Sequence, residues 1–354
     1  ELPRALRSAA TDAGECAFLV TLRRMVAALD DGHGNVQHGC EAGQRRVPVA
    51  LASVEGRPTI TGVAAGVEGV RRGDVVLRVD GAPADSLLRA WGELTSAATP
   101  GWRAFMAHER LLTGRDSLAR LTVEHADGDT ATVTVRRPAG YALPPEQKPE
   151  PVAQLRPGIW YVDLDRVSTA QFRAALPDLE RAAGLVFDLR GYPDDFNAMA
   201  FFPHLLREPG TSAQWHVPVA TRPDRADVRF HHAPGWPLAP GTVYLGAPRV
   251  FITDGRAISY AESILGIVEA YRLGEIVGAT TAGTNGNVNP LTLPGGYSVR
   301  WTGMRVLKHD GSPHHGVGIR PTVPVEPTRA AVAAGRDELL ERALEVVTRA
   351  PAAP

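Results

Sequence analysis

The chain has 354 residues, 44% of them hydrophobic and 22% charged, with a formal net charge of −1. That length supplies core for two ordinary domains, and the near-neutral balance excludes an electrostatic grip on nucleic acid or on an anionic membrane surface. No run of about 18 apolar residues is present, so no membrane-spanning helix is expected.

In chain order, the sequence opens at Glu1 without Met and without a signal-like apolar region, which reads as a processed or trimmed product. Apolar residues at 18, 19, 22, 25, 26 and 29 have helical spacing. "DDGHG" stops that helix and leaves His33 on the loop at its end. The two cysteines, Cys16 and Cys40, allow one disulfide or none, and are too few for a four-cysteine zinc site.

From Val47 to Arg137 the texture changes to short β-type runs, and "ARLTVEHADGDTATVTVRR" predicts a hairpin around "ADGD". Within this block "GVEGVRRGDVVLRVDGAPA" resembles the PDZ pattern, interrupted by a helical insertion at "LLRAWGELTSAATPGWRAFMAHERLL". Six prolines between 137 and 158 read as a semi-rigid linker. After it strands and helices alternate: "GIWYVDLDRV", "STAQFRAALPDLERA", "GLVFDLRGYP", "RVFITDG", "SYAESILGIVEAYRLG" and "EIVGATTAG". That alternation predicts an α/β domain with a largely parallel sheet. "RDELLERALEVVTRA" closes the chain as an amphipathic helix. The expected division is a helical segment 1–45 carrying His33, a PDZ-like domain 46–138, a linker 139–157 and an α/β domain 158–354.

Ser259 ends a strand and opens a helix. There, unpaired N–H groups and the positive end of the helix favour an oxyanion. An N-cap serine would occupy the same place and contribute about 1 kcal/mol.

The motifs "LDDGHGN", "GLVFDLRGYP", "DGRAISYAES", "EIVGATTAGTNG" and "GVGIRPTVPVEPT" occur together in this order. Jointly they resemble the C-terminal processing and tricorn-core family of serine peptidases over roughly residues 16–330. The resemblance implies a ClpP/crotonase-like α/β spiral with an inserted PDZ domain. It implies Ser259 as nucleophile, with Glu262 three residues on as its marker, and the Tyr260 backbone N–H as one oxyanion donor. The second donor follows the Asp-Leu-Arg motif, where the family's glycine pair is replaced by Asp194 and Asp195. Two carboxylates beside a developing oxyanion would oppose it unless they point away.

One branch of the family uses a lysine about 25 residues after the serine. That position is Thr284 here, and the only lysines are Lys148 and Lys308, so a serine–lysine dyad is excluded. The tricorn-like branch uses a histidine in a turn after the N-terminal helix, which His33 matches. An imidazole can take and return a proton at neutral pH. For the orienting third member His315 stands near the family acid's place and Asp310 is the nearest carboxylate. Asp30 and Asp31 flank His33, and Thr322 replaces the family aspartate.

The resemblance thus implies a serine endopeptidase acting on extended polypeptide, with no cofactor and no metal. It leaves homo-oligomerisation open and favours an extracytoplasmic compartment. A peptide-binding pseudoenzyme of the same fold, or an acyl-transfer or cyclising activity of Ser259, are the alternative functions. The pairs His231–His232 and His314–His315 have no accompanying carboxylate cluster, and adjacent side chains point apart, so neither reads as a metal site. "AGTNGNVNPLTLPGG" reads as a substrate-lining turn.

Overall fold

The computed structural model describes residues 1–140, 143–193, 197–222, 224 and 226–349. The chain forms two compact units. The first comprises residues 1–147, 290–301 and 326–338, the second 148–289, 302–325 and 339–354.

In the first unit the helix Glu15–Ala27 buries Leu19, Leu22 and Val26 against Val36 and Tyr297. Glycines 32 and 34 follow it, as the sequence predicts, and strand Asn35–Gln37 then pairs antiparallel with Tyr297–Thr302. Cys16 and Cys40 are joined in a disulfide, Cα atoms 5.7 Å apart, tying this helix to the segment after His33. Closing a loop of 24 residues restricts the unfolded chain by about 3 kcal/mol. Reduction, or Cys16→Ser with Cys40→Ser, is therefore expected to lower the urea midpoint of unfolding. An unchanged midpoint would show that the bridge carries no stability.

An antiparallel sheet follows, in the order Val49–Val54, Arg57–Val63, Val75–Val79, Leu118–Glu124 and Thr130–Arg136. The last two strands are the expected hairpin. Helices Ala84–Glu93 and Pro100–Leu111 occupy the insertion. Alternate strand residues, among them Leu51, Ile60, Val76, Leu121, Val123 and Val135, make one core.

The second unit is built on a six-stranded sheet in the order Val152–Arg156, Ile159–Asp163, Gly184–Asp188, Arg249–Thr253, Glu275–Gly278 and Val323–Pro324. Only the first pair is antiparallel. Strand Val152–Arg156 lies inside the stretch read as linker. Its alternation is weak, and its partner across a tight reversal, rather than its own pattern, makes it a strand. Both faces of the sheet are buried, which is why the central strands read as continuous apolar runs. Leu185, Phe187 and Phe251 face one core with helices Thr169–Glu180 and Tyr260–Tyr271. Val186, Val250, Ile252 and Val277 face the other, under Leu339, Ala343, Leu344 and Val347 of the C-terminal helix. Among the described residues no helix is long and apolar enough to cross a membrane.

Candidate active site

Strand Arg249–Thr253 runs through buried Val250, Phe251 and Ile252 to Asp254, whose carboxylate takes the backbone N–H and guanidinium of Arg256. The chain then reverses into helix Tyr260–Tyr271, with Ser259 at its N-cap. Ser259 has φ 56° and ψ −109°, in the region where a side chain is disfavoured. Such a backbone costs about 1–3 kcal/mol and persists only where its surroundings over-determine it.

Those surroundings are specific. The Ser259 N–H donates to the Thr284 carbonyl at 2.9 Å and lies 3.3 Å from Glu262 Oε2. Glu262, read from sequence only as a marker, is 1% exposed and acts as a hub. Its carboxylate accepts from the N–H of Gly283 at 2.8 Å, the N–H of Thr284 at 2.9 Å and the hydroxyl of Thr281. His314 Nε2 stands 3.2 Å from its Oε1. The side chains of Ser263 and Asn285 add a further bond between helix and loop, at 3.1 Å. Residues 281–285 are consequently buried, so the reading of 282–296 as a substrate-lining turn fails for its first four residues, while 287–292 are exposed. A buried carboxylate must be met by donors, and this loop supplies them. Gly283 (φ 68°) supplies a backbone that bends to do so. At Gly318 a Cβ would meet Thr281 Oγ1 at 2.7 Å. The "GVGIRPT" motif is thus the packing partner of this loop.

The Asp-Leu-Arg motif ends the neighbouring strand. The Asp188 carboxylate, fully buried, accepts from Arg190 at 2.6 Å and from the Tyr161 hydroxyl at 2.8 Å. Lys148 Nζ stands 3.5 Å from Asp163 and 3.9 Å from Asp188, so this lysine is committed to two buried carboxylates. Asp165 holds the Tyr192 N–H at 2.9 Å. The loop after Asp188 is therefore anchored through Pro193. Asp194, the expected second oxyanion donor, lies outside the described residues.

Tyr260 occupies the first helical position, where N–H groups have no partner within the helix. Its hydroxyl accepts from the Ala198 N–H at 2.8 Å, and its ring stands 5.7 Å from that of Trp236 and 6.4 Å from that of Tyr192. His33 belongs to the first unit, on a loop whose shape is set locally. Its N–H donates to Asp31 Oδ1 at 3.1 Å, the Asp31 N–H donates to Ser96 Oγ at 2.9 Å, and Trp102 Nε1 donates to the Gly32 carbonyl. Of the residues considered for a third member, Asp30 is paired with Arg103, and Asp310 is exposed and bonded to Ser312. His315 is exposed, whereas its neighbour His314 is buried. Thr322 accepts from the Ile276 N–H at 2.9 Å and joins two strands, so its part is structural. Among the described residues no cluster of three or more metal-ligating side chains occurs.

Residues 158–325 match the model of peptidase family S41. The chain carries an S41 serine-peptidase domain. Solved structures share the fold of the whole chain. Mature CPAF complexed with lactacystin aligns at 14% identity and TM-score 0.77, covering 98% of this chain and 90% of its own. The photosystem II D1 C-terminal processing protease aligns at 19% identity and TM-score 0.50, covering 95% and 86%. A further solved structure, of a protein from Parabacteroides merdae, aligns at 16% identity and TM-score 0.54, covering 94% and 83%. Among curated proteins no significant match is found.

Within the S41 domain the Asp188 site is expected to contribute to acid sensitivity. Burial alone would raise its carboxyl, but the Arg190 guanidinium, reinforced by Lys148 and Tyr161, outweighs burial and holds it well below the usual range. A depressed folded value stabilises above the unfolded value of about 3.9 and is lost as pH falls towards the folded one. The urea midpoint should therefore fall below about pH 4. Asp188→Asn should lower the midpoint at neutral pH and make the acid limb shallower. An acid limb unchanged in Asp188→Asn would show that this carboxylate is not linked to folding.

Proposed function

We propose that the chain is an endopeptidase for unfolded or extended polypeptides, with Ser259 as nucleophile and His33 as general base. The observation that carries this reading is the strained Ser259 backbone at a strand-to-helix junction of an S41 domain, gripped through its N–H by Thr284 and Glu262. Strain of this kind, held by a dedicated buried network, presents a hydroxyl at the N-terminus of a helix.

In this reading His33 takes the Ser259 proton as Oγ bonds the peptide carbonyl carbon. The oxyanion is met by backbone N–H groups at Tyr260 and position 194. His33 returns the proton to the departing amine, leaving an acyl-enzyme, and water repeats the sequence to free the acid. Residues 46–138 act as a PDZ-like module, and the second unit as the ClpP/crotonase-like spiral. Substrate lies extended, adding a strand to an exposed sheet edge.

A fluorophosphonate probe tests the assignment directly. Covalent label on the peptide containing Ser259 is expected. No label, or label at another serine, would reject it.

A further inference from the structure

We propose that His314 is a positioning residue for Ser259, acting through Glu262. The inference rests on the nucleophile reading above, and concerns a residue that the sequence motifs leave without a role.

Ser259 keeps its unfavourable backbone because two acceptors hold its N–H, the Thr284 carbonyl and Glu262 Oε2. Both depend on the Glu262 carboxylate, since Thr284 donates its own N–H to it. Whatever fixes Glu262 therefore fixes Ser259. Most of the hub's partners belong to the loop 281–284 or to the helix itself. His314 comes from elsewhere, the turn that follows residues 309–313.

The His314 side chain is 4% exposed and that of Glu262 is fully buried. The imidazole Nε2 lies within ion-pair reach of Oε1 without being aligned for a hydrogen bond. No other described group takes it. Out of water, whatever dipole or charge the imidazole presents to the carboxylate across 3.2 Å is screened far less than at the surface. The same turn clamps the loop by its backbone. Gly316 donates to the Gly283 carbonyl at 3.0 Å, and Ile319 donates to Thr281 Oγ1 at 2.9 Å. The His314 carbonyl closes the turn by accepting from Val317 at 3.0 Å and Gly318 at 2.9 Å. His314 thus adds a side-chain restraint to the carboxylate where the turn meets the loop. Its neighbour His315 points to solvent.

The test uses the full chain with His314→Ala, His314→Gln, Glu262→Gln and the double variant His314→Ala/Glu262→Gln. If His314 orients the hub, His314→Ala lowers kcat by roughly 10–100-fold, as loss of a supporting partner does elsewhere, with KM within about twofold. The fluorophosphonate labelling rate falls in parallel. His314→Gln, which keeps an N–H donor, recovers most of the loss. In the Glu262→Gln background His314→Ala costs little more, because the two act as one unit. Amide exchange at Gly283 and Thr284 becomes faster in His314→Ala while the rest of the helix is unchanged.

Unchanged kcat and exchange, an effect on KM alone, or a loss that multiplies fully onto Glu262→Gln would each overturn the proposal. If the wild-type chain takes no label, the nucleophile reading fails, and the exchange rates still decide whether His314 holds the loop. Should His314→Ala not fold, His314→Leu, which fills the site without a donor, takes its place beside His314→Gln. Reduced kcat with faster exchange in His314→Leu, both recovered in His314→Gln, supports the role, and unchanged kcat and exchange in His314→Leu rejects it.

Discussion

Ser259→Ala is expected to abolish hydrolysis of unfolded protein while leaving the fold in place. Removing a nucleophile of this kind lowers turnover by roughly 10⁴-fold or more, since what remains is binding and oxyanion stabilisation. The cost to stability is small, about 1 kcal/mol if the hydroxyl also caps the helix. For a chain of this size that moves the melting temperature by only a few degrees. The backbone sharpens the test. At φ 56° any side chain is strained, alanine as much as serine. Glycine adopts positive φ freely, so Ser259→Gly should be equally inactive yet no less stable than Ser259→Ala. A chain that needs serine only as a cap would show the reverse, with activity retained and stability lost. Wild-type proteolysis in either variant would remove Ser259 from the chemistry.

The second large effect is expected at His33. A positioned base contributes roughly 10²–10⁴-fold, so His33→Ala should lower kcat by that factor with Ser259 still in place. Exogenous imidazole should restore part of the loss, because the variant lacks a proton acceptor and not a fold. The loop around His33 is held by Asp31, Ser96 and Trp102 through contacts that His33→Ala leaves intact. Thr284→Ala is the control. Thr284 stands where the lysine-using branch of the family has its base, but its contacts to Ser259 and Glu262 run through the backbone and survive the substitution. It should cost far less than His33→Ala. Turnover in His33→Ala within a few-fold of wild type would leave the base unassigned.

Several of these elements were legible in the residues themselves. Strand Gly184–Asp188 is buried on both faces, so its apolar run is continuous and its Asp terminus is plain. Helix Thr169–Glu180 carries its capping box, Ser168 and Gln171, in the letters. Ser259 between an apolar run and a helical period could equally be a plain N-cap, and it is the accompanying motifs that single it out. The lysine inventory needs no structure at all. Strand Gln214–Val219 and its partners Arg229–Ala233 and Arg305–Leu307 were not legible, because Arg229–Ala233 is largely exposed and lacks an apolar alternation, and Arg305–Leu307 lies far off in sequence.

What the sequence determined by itself was the alternation of strands and helices and the count of lysines, which depend on local spacing and composition. The nucleophile candidate and the missing lysine base followed from the resemblance of its motifs to a family. The tertiary structure alone decided which of two adjacent histidines turns inward, that Glu262 is a hub and not a marker, and that residues 281–285 are buried. Each of these depends on a buried carboxylate finding donors from segments up to about 50 residues away. A buried charge is tolerable only where such donors converge, and convergence is a property of the fold that no single stretch of residues contains.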